Sequence, residues 1–191
     1  MAATRTREPE AKRRQLLEAA LAEFAAHGLA GARIDRIAGR AGCSAGLVYT
    51  YFGSKDDLFD AVFDAIVAQA LTETPITTDD LPGYAGRLFD ATEAYPDVAR
   101  IATWYRLERA GTGRSIAAVT EAGRAKVEAI REAQRAGVVS DRFDAEQLLA
   151  LVLTLATMWS TLSIETADLT GTDPGHRRAT VVDAVRRLVE P

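Results

Sequence analysis

Residues 34–58, IDRIAGRAGCSAGLVYTYFGSKDDL, limit most strongly what this chain can fold into. Ile34, Ile37, Ala38 and Ala41 recur at spacings of three and four, which lines them along one helical face. Gly42 follows and can supply the positive φ that ends a helix. Ser44 is a good N-cap for a second short helix, whose Val48 and Phe52 face inward at i, i+4. Gly53 ends that helix. Ser54 caps a third, with Asp57 three residues on as the partner of a capping box. Leu58, Val62, Ala65 and Ile66 continue the apolar stripe. Two short helices joined at a glycine turn have the layout of a helix-turn-helix, whose second helix is shaped to enter the major groove of duplex DNA. The same turn also joins amphipathic helices in proteins that never meet DNA, so other features must decide.

Charge is one of them. The chain of 191 residues carries a net −4, which by itself argues against a nucleic-acid binder. Its halves differ, however. Residues 1–55 hold nine Lys/Arg and five Asp/Glu, a balance of +4, and residues 56–191 hold fourteen and twenty-two, a balance of −8. The basic part coincides with the motif, and phosphate contacts need local positive charge rather than a basic protein. The acidic remainder would be kept off DNA.

Residues 13–63 resemble the TetR family of bacterial transcription regulators. The likeness is carried by LLEAALAEFAAHGLAG and IAGRAGCSAGLVYTYFGSKDDL, above all by Tyr49, Tyr51, Phe52, Ser54, Lys55 and Leu58 at this spacing. It implies that Tyr49 and Lys55 contact DNA phosphates. It also implies that Ala45, Gly46, Leu47 and Thr50 face base edges after the Ser44 cap, and that Tyr51 touches the backbone or packs. Three positions depart from the family pattern. Ala32 and Arg33 stand where Thr or Ser often caps the first motif helix, Leu47 stands where Thr is frequent, and Asp35-Arg36 reverses a common order. The groove-facing side chains are mostly small or apolar; Ala45 and Leu47 suit thymine methyl groups. Base discrimination is therefore expected from Arg33, Arg36, the N-terminal arm with Arg5 and Arg7, or DNA shape.

Elsewhere apolar periodicity stays near 3.6 with no alternating strand, so the class expected is all-α: a three-helix DNA-binding domain with the helix-turn-helix, then a helical ligand-binding and dimerisation domain. The boundaries expected are a flexible arm at 1–9, the DNA-binding domain at 10–54 and the second domain at 55–191. Helices are expected at 55–71, 81–94, 96–109, 114–136, 144–166 and 174–189. The 144–166 helix is apolar almost all round, which calls for burial on several sides. With the last helix it suggests a homodimer interface through Leu148, Val152, Leu155, Val181, Val185 and Leu188, an arrangement the resemblance also implies and one suited to a near-palindromic operator. The resemblance further implies a site for an unknown small-molecule effector among the middle helices. Candidates are Phe89, Glu93, Tyr95, Ile101, Trp104, Tyr105, Leu155, Met158 and Trp159, although aromatics on amphipathic helices are also ordinary core.

No phosphate loop, dinucleotide fingerprint or His-Glu metal spacing occurs, and the two histidines, His27 and His176, have no evident nucleophile beside them. No catalytic residue, cofactor or metal is expected. Nothing reaches about 18 uninterrupted apolar residues, the N-terminus lacks a signal-peptide layout, and the single cysteine, Cys43, permits no internal disulfide. The expectation is a cytoplasmic regulator, a repressor released from operator DNA by its ligand. The alternatives are an activator, or a helical ligand-binding dimer without a DNA role.

Overall fold

The computed structural model describes residues 3–113 and 115–190, the side chains of residues 3–8 excepted. Its helices are α1 (Ala3–Gly31), α2 (Ile34–Arg40), α3 (Ala45–Phe52), α4 (Lys55–Glu73), α5 (Leu81–Ala94), α6 (Pro96–Arg109), α7 (Ala117–Arg135), α8 (Ala145–Thr157), α9 (Ile164–Leu169) and α10 (Pro174–Val189). No strand occurs among the described residues, and the fold is all-α. Packing groups the chain into two compact units, Met1–Ala68 with Asp97–Val119, and Gln69–Pro96 with Thr120–Pro191. The sequence had suggested a cut at residues 54/55. Most of α4 and all but the first residue of α6 instead fold with the N-terminal helices. The segment expected as a free arm, residues 1–9, is helical from Ala3 on, and the side chains of Arg5 and Arg7 lie outside the described residues.

In the first unit the apolar faces of α1, α2, α3, α4 and α6 meet in one core containing Leu16, Phe24, Ile37, Val48, Leu58, Phe59 and Ile101. Phe24 meets the edge of Phe59 at 5.1 Å and 82°, Phe59 lies 5.3 Å from Phe63, and Phe63 lies 4.8 Å from Tyr105. Each buried ring is worth about 1.5–3 kcal/mol of transfer free energy, and favourable ring pairs add about 0.5–1.5 kcal/mol. α1 bends at Gly28 (φ 67°, ψ 179°). The freed amides of Leu29 and Ala30 then donate to the carboxylate of Glu108 on α6, at 2.8 and 3.3 Å. Beside them the Trp104 indole N–H donates to the Ala25 carbonyl at 3.2 Å. Buried Arg109 reaches Asp56 at 3.0 Å and Asp60 at 2.9 Å and lies over the Phe59 ring.

In the second unit α5 packs against both α8 and α10. Leu81, Tyr84 and Phe89 of α5, Leu148 and Val152 of α8, Val181 and Val185 of α10, and Ile130 of α7 form its core. This corrects the expected dimer surface. Leu148, Val152, Val181 and Val185 are 0% exposed within this one chain, because the apolar stripe of α5 needs cover and these side chains provide it. Leu155 and Leu188 remain half-buried. The long helix expected at 144–166 also breaks, ending at Thr157 in a 3-10 turn, Met158–Ser160, before α9. The hydroxyls of Thr157, Ser160 and Thr161 donate to the carbonyls of Leu153, Thr157 and Met158 at 2.8–2.9 Å. Such side-chain bonds compete with continued helix. Ser163 then caps α9 by accepting from the Thr166 N–H.

Candidate nucleic-acid interface

The turn between α2 and α3 is built as the sequence suggests. Gly42 takes φ 62°, the Cys43 N–H donates to Ala38 O at 3.0 Å, and the Gly42 N–H donates to Gly39 O at 3.2 Å. Those two bonds form a Schellman ending, in which an apolar residue after the glycine contacts the helix it closes. Cys43 fills that place and packs on the core. From across the unit, Lys12 donates to Ala41 O at 3.1 Å and secures the same end. Ser44 accepts the Leu47 N–H at 3.3 Å as the cap of α3. Ser54 accepts the Asp57 N–H at 3.0 Å, and its hydroxyl meets the Asp57 carboxylate at 2.6 Å.

Val48 is the buried residue of α3, and it aims the opposite face outward. Gly46, Tyr49 and Thr50 are exposed, while Ala45 and Leu47 are partly covered. The Thr50 hydroxyl donates to Gly46 O at 2.9 Å, which leaves its lone pairs and methyl to face a base. Tyr51 is half-buried on the core with its ring 6.2 Å from Phe52, which favours the packing alternative left open for it. A cleft of about 320 Å³ brings together Arg33, Tyr49 and Lys55 with Ala32, Ile34, Asp35 and Ala45. Lys55 donates to the carbonyls of Ala32 at 3.2 Å and Ala30 at 3.4 Å. Two cations and a phenol, with the single carboxylate of Asp35, line one exposed hollow, a donor set of the kind that suits an anionic oxygen.

Arg36 is placed otherwise. Its Nε donates to Glu23 Oε1 at 2.6 Å, and a terminal nitrogen donates to Gly31 O at 3.0 Å. Glu23 also accepts the Arg33 backbone N–H at 3.1 Å. Burial pushes the Glu23 carboxyl up. The Arg33 N–H, the Arg36 guanidinium and nearby His27 outweigh it and hold the group below its ordinary value. Sequence reasoning passed over Glu23, Glu108 and Lys12. For Glu23 a signal existed: it occupies the inward register of α1 with Leu16, Ala20 and Phe24, where a charge is out of place unless partnered.

The residues named for an effector are divided between the two units. Ile101, Trp104 and Tyr105 belong to the first unit and pack there. In the second unit Phe89 and Glu93 line a cleft of about 450 Å³ with Asp90, Ala94, Pro174, Gly175 and Arg178. Tyr95 is exposed, Leu155 and Met158 are half-buried, and the Trp159 ring lies under Arg177 at 4.9 Å.

This arrangement has relatives. Residues 16–62 match the model of bacterial regulatory proteins of the tetR family, and residues 80–187 match the tetracyclin repressor-like C-terminal domain. The chain belongs to the TetR family of transcriptional regulators. It is 36% identical over 190 residues to the HTH-type transcriptional repressor SCO4008 of Streptomyces coelicolor, covering 96% of this chain and 98% of that protein. Its fold matches the crystal structure of the transcriptional regulator SCO4942 of the same organism with a TM-score of 0.82 at 38% identity, over 93% of this chain and 98% of the other. Its N-terminal region is 48% identical over 56 residues to the regulator BetI 1 of Chromohalobacter salexigens, 29% of this chain and 28% of that protein. The chain is a DNA-binding regulator and not an enzyme, and regulators of this family typically act as dimers. No helix among the described residues is long and apolar enough to cross a membrane.

Proposed function

We propose that this TetR-family chain is a cytoplasmic repressor that binds a near-palindromic operator as a homodimer and is released by a small molecule. The observation that carries the reading is the single hollow shared by Arg33, Tyr49 and Lys55 at the foot of an exposed α3. In this reading these three hold phosphate, while Ser44, Ala45, Gly46, Leu47 and Thr50 lie against base edges. The repressor in Streptomyces coelicolor that matches nearly the whole chain supports repression over activation.

A two-fold dimer would set two copies of α3 about 34–36 Å apart, one turn of DNA. The surface proposed for it runs along α8 and α10, where Leu151, Leu155 and Leu188 are only partly covered, the last two at the edge of the core, while their neighbours are buried. For the effector, the cleft of about 450 Å³ between α5 and α10 lies in the range of small-molecule sites. Phe89 would serve as its apolar wall and Glu93 as a polar contact. A ligand that binds better to a state with different α3 spacing lowers operator affinity by linkage.

The test is selection of bound sequences from a random DNA pool by the purified full-length protein at fixed moderate salt. Enrichment of one near-palindromic site is the expected result. Weak, salt-sensitive binding without enrichment would reject the sequence-reading repressor.

A further inference from the structure

Glu23 presents a problem that the DNA-contacting role of its neighbours does not solve. It is a carboxylate on the inner face of α1 with a side chain only 2% exposed. Its Oε1 accepts from the Arg33 backbone N–H at 3.1 Å and from Arg36 Nε at 2.6 Å, and its Oε2 lies 3.9 Å from His27 Nε2, one turn further along α1. A buried carboxylate persists only where such partners satisfy it.

The partners show what the group accomplishes. α2 has no cap of its own: Arg33 occupies the N-cap position in extended backbone (φ −121°, ψ 125°), and its side chain makes no cap bond. Glu23, from another helix, accepts the N–H of Arg33 itself, the half of a capping box that an acidic residue at position 36 would otherwise supply. Arg36, one turn into α2, points back toward α1 and has two guanidinium nitrogens engaged, on Glu23 and on Gly31 O. Swinging Arg36 to a phosphate would strand Glu23 with one backbone N–H and a histidine 3.9 Å away. Removing one partner from a buried charge is strongly unfavourable. Lys55 differs: its bonds to Ala30 O and Ala32 O, at 3.4 and 3.2 Å, go to neutral carbonyls, and its release leaves no buried charge behind.

We propose that Glu23 is a positioning residue for DNA recognition: its carboxylate holds the N–H of the residue that begins α2, fixes α2 against α1, and keeps Arg36 out of the set of side chains that meet phosphate. The proposal rests on the DNA-binding reading above. It assigns the cationic contacts at this end of the motif to Arg33 and Lys55. It also gives the reversed Asp35-Arg36 order a purpose, because an acidic residue at position 36 would face the Glu23 carboxylate.

The experiment measures operator affinity of the full-length protein across a salt series for wild type, R36Q, E23Q and the double variant, with a thermal melt of each. Every phosphate neutralised by a cation contributes about 0.9 to the slope of log affinity against log salt. R36Q is expected to bind several-fold more weakly with the wild-type slope, since it loosens α2 without removing a phosphate contact. E23Q is expected to free the guanidinium and steepen the slope, and the double variant to return to the wild-type slope. A pair with a merely structural role would lower the melting temperature without this exchange between slopes. A shallower slope in R36Q, by about 0.9 per contact, overturns the proposal, as does an E23Q slope equal to wild type in a folded protein. If E23Q does not fold, the R36Q slope decides alone. Absence of salt-dependent operator binding by wild type would instead reject the DNA-binding reading itself.

Discussion

A tyrosine and a lysine can hold the same phosphate yet leave different traces in salt. The Tyr49 hydroxyl is a neutral donor, half-exposed at the rim of the hollow. Y49F is expected to weaken binding to every DNA sequence by about 1.5–3 kcal/mol, the range for a bond to a charged group, with the salt slope unchanged. K55Q is expected to weaken binding uniformly and to make the slope shallower by about 0.9 per contact. Filter binding or anisotropy over a salt series separates the two. Glu23 leaves its trace in acid. Its folded-state value lies below the ordinary 4.5, so its contribution is present above that pH and is lost as pH falls through the lower folded value. Melting temperature should decline in this acid range for wild type and less so for E23Q; parallel acid limbs would count against the pairing. That Tyr49 and Lys55 share one hollow was legible in the sequence, because both sit within one short motif at fixed spacing. The pairing of Arg36 was not, because its partner is on another helix and only packing brings the two together.

For a short helix the ends decide more than the middle. α2 has seven residues, too few to be stable alone. Its Schellman ending at Gly42 and the distant groups Lys12 and Glu23 compensate. G42A forces a Cβ into φ 62° and should cost about 1–2 kcal/mol, read as a lower melting temperature with weaker operator binding. An unchanged melting temperature would mean that the turn relaxes. The limits of α5, α6 and α10 were readable from Pro82, Pro96 and Pro174 near their starts and from the apolar period between them. The break at Thr157 was not, because apolar spacing continues through Met158, Trp159 and Leu162 while the hydroxyls of Thr157, Ser160 and Thr161 bond back to carbonyls. Periodicity reports which side chains want burial and says nothing about competition for main-chain acceptors.

On the scale of the whole molecule, the all-α class and the place of the DNA-reading motif were visible in the sequence, but the grouping of helices was not. Apolar residues on α8 and α10 read equally well as a partner's surface and as cover for α5. Val185 is 0% exposed, so V185D should unfold the second unit, with loss of helical signal. L151D, at a partly covered position outside that core, should leave that signal intact and shift sedimentation from dimer to monomer. A dimer that persists in L151D would move the interface elsewhere. The bend at Gly28 leads further. The amides it exposes are closed by Glu108, which lies 79 residues from Leu29 along the chain, and Trp104 and Arg109 join the same unit. The reader is therefore discontinuous in the gene. A hybrid regulator made by cutting after α3 and grafting a foreign sensor would discard part of what it means to keep. A workable graft would carry residues 97–119 along with the N-terminal helices and exchange only what lies between and beyond them.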